Sequence, residues 1–210
     1  MHGAESVAIE THEESDLVIL TRGDLRLVFR RGEDRWEHAI EARQGEGWLP
    51  LLGSVPGTPA EELPLSPVFQ DLRTETVAGN SLEVQLFGQS RKTIYSAAVR
   101  FDADSGTIEF DVAVRVPRGE RANLFSSYES DGAFRAGATE EYQVDCGTAR
   151  LELGGMRLPD DSTAGSGAVV ALSTPVPRAR FTIGCRESVA DGTSRSAVTF
   201  RWQYWMRRYS

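Results

Sequence analysis

The sequence predicts an all-β fold, a large antiparallel β-sandwich with little helix. Three observations carry that expectation. Apolar side chains recur at every second position in several stretches, most regularly at Ile108, Phe110, Val112, Val114 and Val116. Successive side chains on a strand point to opposite faces, so this spacing builds strands with one apolar face and one wet face. Clusters of turn-forming residues separate the stretches, as at Asp102-Ala103-Asp104-Ser105-Gly106, where Asp and Ser bond their own backbone and Gly accepts positive φ. No stretch carries the 3.6-residue apolar period of an amphipathic helix. Long strands joined by hairpin turns pack as two sheets or close into a barrel, and two packed sheets are the expectation here.

Taken in order, residues 1–16 hold five acids and no Lys or Arg. They read as a flexible acidic leader ahead of one domain over 17–210, with His2 and His12 inert in it. Leu17–Thr21, Leu25–Arg30 and Trp36–Ala42 are the first strands, and Trp36, His38 and Ile40 share a face. His38 between Trp and Ile reads as a hydrogen-bonded core residue. Residues 43–70 contain Pro50, Pro56, Pro59, Pro64 and Pro67. They read as an extended connection that shields a sheet edge, with one short edge strand at Trp48–Leu52. Strands resume at Ser81–Phe87, after the turn Ala78-Gly79-Asn80. The central hairpin follows, with strands at 95–101 and 107–116, ended by Pro117, which has no amide hydrogen to give a ladder. Residues 118–139 are rich in Gly, Ser and Asp and read as irregular, anchored by Leu124, Phe125 and Tyr128. Further strands are expected at 141–146, 149–153, 168–172 and 178–184, with a loop over 159–167 and a turn at Asp191-Gly192. In the last strand, Ser196–Arg208, Val198, Phe200, Trp202, Tyr204 and Met206 line one face, and Thr199, Arg201, Gln203, Trp205 and Arg207 the other.

Bulk properties narrow the function classes. A chain of 210 residues buries enough surface to fold without a metal or disulfide. The net charge of −8 argues against nucleic acid, whose phosphates select basic surfaces. No apolar run approaches the roughly 18 residues that would mark a membrane-spanning helix. The start lacks a basic region followed by an apolar one, so a cytoplasmic protein is expected, with an exported mature form left open. Lys92 is the single lysine; the arginine bias fits either coding bias or the use of guanidinium forks on carboxylates and hydroxyls. Cys146 and Cys185 lack metal-site spacing and read as two thiols, with a disulfide left open. Three scattered histidines give no metal motif, no catalytic triad can be proposed, and no glycine-rich dinucleotide fingerprint occurs, so no cofactor and no metal are expected.

The candidate binding residues are Trp205, Arg207, Trp48, Glu109, Asp111 and Arg115. Glu109 and Asp111, two apart on the wet face of the central strand, fit paired carboxylates about 5–7 Å apart, a separation at which acid–base work on a sugar is possible; a half-exposed strand face with Arg100 or Arg115 as salt-bridge neighbours is the plainer reading of the pair. Trp205, between Gln203 and Arg207, and Trp48 present flat rings on which the C–H face of a sugar packs, or which a loop or a second copy of the chain covers.

The segments Asp24-Leu25-Arg26-Leu27-Val28-Phe29, Tyr95-Ser96-Ala97-Ala98-Val99-Arg100-Phe101 and Gly106 to Pro117 together resemble the galactose mutarotase-like supersandwich. The resemblance covers about 40 residues plus the strand-rich layout, and its motifs are of low specificity. It implies a supersandwich-like fold and a carbohydrate-related role. The catalytic His pair and late Glu of mutarotases have no counterparts here, which implies that mutarotase activity is absent. The expectation is a non-catalytic carbohydrate-binding or carbohydrate-associated domain. A structural or protein-interaction domain, self-association included, and a glycan-active enzyme with paired carboxylates stand as the alternatives.

Overall fold

The computed structural model describes residues 8–58, 60–77, 81–102, 104–136, 141–156, 169–173, 179–190 and 196–209. The turn at 78–80, the loop at 159–167 and the turn at 191–192 expected from the sequence lie outside them. The described residues contain no helix and form two antiparallel sheets, so the predicted all-β sandwich is the observed fold.

Sheet I contains β1 (Glu10–Glu14), β2 (Leu17–Arg22), β3 (Leu25–Arg31), β4 (Trp36–Gln44), β5 (Gly47–Ser54), β10 (Ala122–Ser130), β15 (Ala179–Ala190) and β14 (Val169–Ser173), in that order across the sheet. Sheet II runs β11 (Ala133–Ala136), β12 (Glu141–Asp145), β13 (Arg150–Met156), β16 (Val198–Tyr209), β9 (Thr107–Val116), β8 (Thr93–Phe101), β7 (Leu82–Ser90) and β6 (Asp71–Thr76). The central hairpin is β8–β9, and its turn forms as expected: Asp102 Oδ1 accepts the amides of Asp104 and Ser105, both at 2.8 Å, and Gly106 sits at φ 66°. β9 lies inside sheet II between β8 and β16, and Ile108, Phe110, Val112, Val114 and Val116 are buried. The inward side chains of β16, from Phe200 to Met206, complete the same core.

Three expectations are corrected. Residues 10–14 are not part of a frayed leader: they pair with β2 as an edge strand, all exposed, whose acids keep that edge from pairing further. Trp48–Leu52 is not an edge strand but belongs to β5, which pairs with β4 along its length and with β10 at its end. Residues 122–130, expected to be irregular, form β10 inside sheet I. Ser126 and Ser130 alternate with Leu124 and Tyr128 on the inward face, which hides the apolar alternation. β6, at the edge of sheet II, falls in a stretch between the connection and the 78–80 turn for which the sequence carries no assignment.

The connection over 55–70 does lie against the body, but in a fork. β5 and β10 pair only at Tyr128↔Ser54 and Glu129↔Gly53. Beyond that, the connection fills the gap: Val55 N donates to Ser127 O (2.8 Å), Ser127 N to Ser66 Oγ (2.8 Å), and Asn123 Nδ2 to Pro64 O (2.9 Å). It then crosses to sheet II, where Gln70 N donates to Phe87 O (2.7 Å) and Val68 and Phe69 enter the core. Unpaired backbone is thereby satisfied by serine and asparagine side chains, as burial demands.

Candidate functional site

Of the six candidate residues, the fold gathers five on the outer face of sheet II and places the sixth, Trp48, on the outer face of sheet I. Pairing of β9 with β16 sets Trp205 opposite Glu109 and Gln203 opposite Asp111. Arg115 lies farther along the same face, opposite Thr199 and Ile94.

Trp205 is seated by a glycine. A Cβ on Gly154, its neighbour on β13, would stand 2.9 Å from Trp205 Cζ2, so the indole occupies the space that any side chain would fill. Arg207 lies over the ring, Cζ 4.8 Å from the centroid, and donates from Nε to Glu152 at 2.8 Å. Glu152 is 5% exposed. The outward side of the indole is therefore occupied by a guanidinium that a buried carboxylate holds in place. Sheet I repeats the arrangement: Arg26 lies 4.4 Å and Arg43 5.0 Å from the Trp48 ring, Arg26 Nε donates to the buried Glu41 at 2.5 Å, and Arg43 pairs with Asp24. Around Trp48 each of these charges has a partner. Beside Trp205, Glu109 and Gln203 have no side-chain hydrogen bond or ion pair among the described residues.

Removing the Arg207 head group leaves Glu152 buried and unpaired. We expect Arg207→Met to cost about 1–2 kcal/mol, discounted because Arg207 is itself half exposed, and the double variant Glu152→Met/Arg207→Met to recover much of it. Urea unfolding of the three chains checks this, and equal losses in the single and double variants would contradict it.

Asp111 does not face Glu109 as a free second carboxylate. Arg201 forks onto it, with Nε at 2.6 Å and Nη2 also bonded, and the pairing raises the arginine further above its ordinary value. The two carboxylates of β9 thus have different environments, one clamped and one open.

A second polar constellation lies between the sheets. His38 faces inward from β4 and its Nε2 is 2.9 Å from Tyr128 Oη. Tyr128 Oη is 2.5 Å from Tyr204 Oη, and Ser126 lines the same space. The rings of Phe29 and Phe110 stand 5.9 and 5.3 Å from the imidazole. Burial pulls His38 down to about 4 and pushes both tyrosines well above their ordinary range. Beside His38 is a small pocket under the 55–70 connection, lined by Trp36, Ser54, Ser66, Phe69, Phe110 and Tyr204 among others, with room for about one water. The part of His38 that is not covered by protein faces this space. The imidazole stays neutral at physiological pH, and the cluster acts as a hydrogen-bonded tie between sheet I (His38, Tyr128) and sheet II (Tyr204). The tie was half legible: His38 was marked as a bonded core residue, but its partners sit on β10 and β16, and no local signal announces so distant a pairing.

Cys146 and Cys185 are both free thiols; burial pushes the Cys146 thiol up, away from the reactive thiolate. Among the described residues no cluster of three or more His, Cys, Asp or Glu could hold a metal ion, and no helix is long and apolar enough to cross a membrane. No protein-family model matches the chain, and no curated protein matches it.

Proposed function

We propose that this chain is an interaction domain that engages a partner through the outer face of sheet II. One observation carries the reading. The large hydrophobic side chains left exposed among the described residues are Phe87 (40%), Ile94 (47%) and Tyr209 (44%), and all three stand on that face. Single exposed apolar residues are ordinary, but their confinement to one of two sheet faces is what a contact surface produces. The flanking charges Arg115 and Asp71 have no ion pair among the described residues, whereas Arg26 and Arg43 beside Trp48 on the sheet I face each have one.

A second reading, a non-catalytic carbohydrate-associated domain, rests on a different part of the same face. Trp205 is held flat on Gly154, with the unpaired Glu109 and Gln203 beside it, and the resemblance to the mutarotase-like supersandwich supports a sugar ligand. A sugar ring stacking there must displace Arg207 from Glu152, which favours the first reading. The glycan-active alternative needs Asp111 released from Arg201 and has no observation in its favour.

The readings separate in one experiment. The wild type, Phe87→Asp and Trp205→Ala are applied to a glycan array and, immobilised, to a cell lysate. The first reading expects protein retention that Phe87→Asp abolishes and no glycan signal. A glycan signal lost only in Trp205→Ala establishes the second and removes the first.

A further inference from the structure

We infer that the partner of the sheet II outer face is a second copy of this chain, packed face to face across β7 and β8; the inference rests on the interaction reading above. The face is self-complementary. Register places Phe87 opposite Ser96, and Ser96 opposite Ala113, so the exposed ring of Phe87 stands next to two small residues at the same level of the sheet. Asp71 lies opposite Phe87 on the far side, at the sheet edge. One residue pair along, Arg115 lies opposite Ile94.

A two-fold axis parallel to the strands, between β7 and β8, exchanges β8 with β7 and β9 with β6. Phe87 of each copy then rests on the Ser96 position of the other, a large side chain over a small one. Asp71 of each copy arrives over Ala113 of the other, within reach of the long Arg115 side chain, and two unpaired charges acquire partners twice over. Glu83, which faces Arg100 within one copy, meets Arg100 of the other by the same operation. The like-charged opposition, Glu75 against Glu109, falls at the rim, where solvent screens it. Such an isologous contact is closed and makes a dimer rather than a filament. Strand spacing and rise give the four overlapping strands from β9 to β6 an area of roughly 500 Å², below the ~800 Å² per partner of a standard interface, so a dimer in the micromolar range rather than tighter is the expectation.

Sedimentation velocity on the full chain over a concentration series tests this. The wild type is expected to pass from monomer to dimer at roughly micromolar concentration. Phe87→Asp and, separately, Ile94→Asp are expected to weaken association at least about tenfold, with thermal melting of the monomer, measured well below micromolar concentration, unchanged because both side chains are exposed. Arg115→Asp weakens it too, and Arg115→Asp combined with Asp71→Arg restores it, since each reversed charge again meets its opposite. A wild type that stays monomeric near 1 mM, or a double reversal no better than the single one, overturns the inference. If such a monomer still retains another protein in the Phe87-dependent way described above, the interaction reading stands without a second copy; if it does not, both fall.

Discussion

Gly88→Ala is expected to lower stability by about 4 kcal/mol and the melting temperature by about 10 °C. Gly88 lies on β7 where the 55–70 connection crosses it. A Cβ there would overlap the Val68 carbonyl and stand 2.9 Å from Gln70 N. Both are backbone atoms, so no rotamer change relieves the overlap, and the connection must lift. Lifting breaks the Gln70 N to Phe87 O bond and the bond from Trp36 N to Phe69 O, each 2.7 Å. It also withdraws Val68 and Phe69 from the core, two side chains whose burial is worth about 1.5–3 kcal/mol each. Gly53→Ala is the control: a Cβ there meets nothing within 4 Å and the backbone is not at positive φ, so its melting point should move by no more than a degree or two. Thermal unfolding of the two variants decides the matter. Equal melting points would mean that the connection does not cross β7 closely and that the pocket beside His38 has no fixed roof.

Gly88 also shows why some of the structure was legible in the sequence and some was not. A short apolar run located β2, and period-two alternation located β3, β4, β7, β8, β9 and β16, because in each the core face is apolar over most of its length (in β4 with His38 as the one exception) and local. β10 escaped, although it is central, because its inward face alternates Leu124, Ser126, Tyr128 and Ser130. Ser130 is there for a distant partner, the Leu51 carbonyl at 2.6 Å, and Ser126 faces the space beside Tyr204. The prolines that follow β5 give it the signature of an edge strand, whereas its second neighbour comes from more than 60 residues downstream. Pairing partners distant in sequence leave no mark on either segment alone.

The site residues divide the same way. Alternation alone puts Glu109, Asp111 and Arg115 on one wet face, and Trp205 and Arg207 on another. That the two faces are one face depends on β9 pairing with β16, which the sequence does not state. The capping arginines were invisible for a related reason. Arg207 and Glu152 lie 55 positions apart, and only the register brings them together over the Gly154 seat. Trp48 fell on the other side of the sandwich because membership of a sheet, unlike the face of a strand, is a global property.

The second large effect expected is acid sensitivity centred on His38. Above the ordinary histidine value near 6.5 the imidazole is neutral whether the chain is folded or not, and contributes no pH dependence. Between 6.5 and about 4 the unfolded chain takes up a proton that the folded chain refuses, because a charged imidazole between Phe29, Phe110 and Tyr128 would be stripped of water. Unfolding is therefore favoured progressively as pH falls through that window, by about 3 kcal/mol in all, and this group adds nothing further below about 4. Asp34, held low by the Arg35 guanidinium, and Asp102, held low by the amides of its turn, also lose stability in acid. Their losses begin only below the ordinary carboxylate value of 3.8, so the two windows barely overlap. His38→Gln keeps a hydrogen-bonding group toward Tyr128 and cannot titrate. Its stability should be lower than wild type at pH 7 but nearly flat from pH 6.5 to 4, while the wild type declines. Urea midpoints measured across that range compare the slopes directly. Parallel slopes would mean that protonated His38 is accommodated in the fold, and that the tie from His38 through Tyr128 to Tyr204 does not hold the two sheets together in the way its geometry indicates.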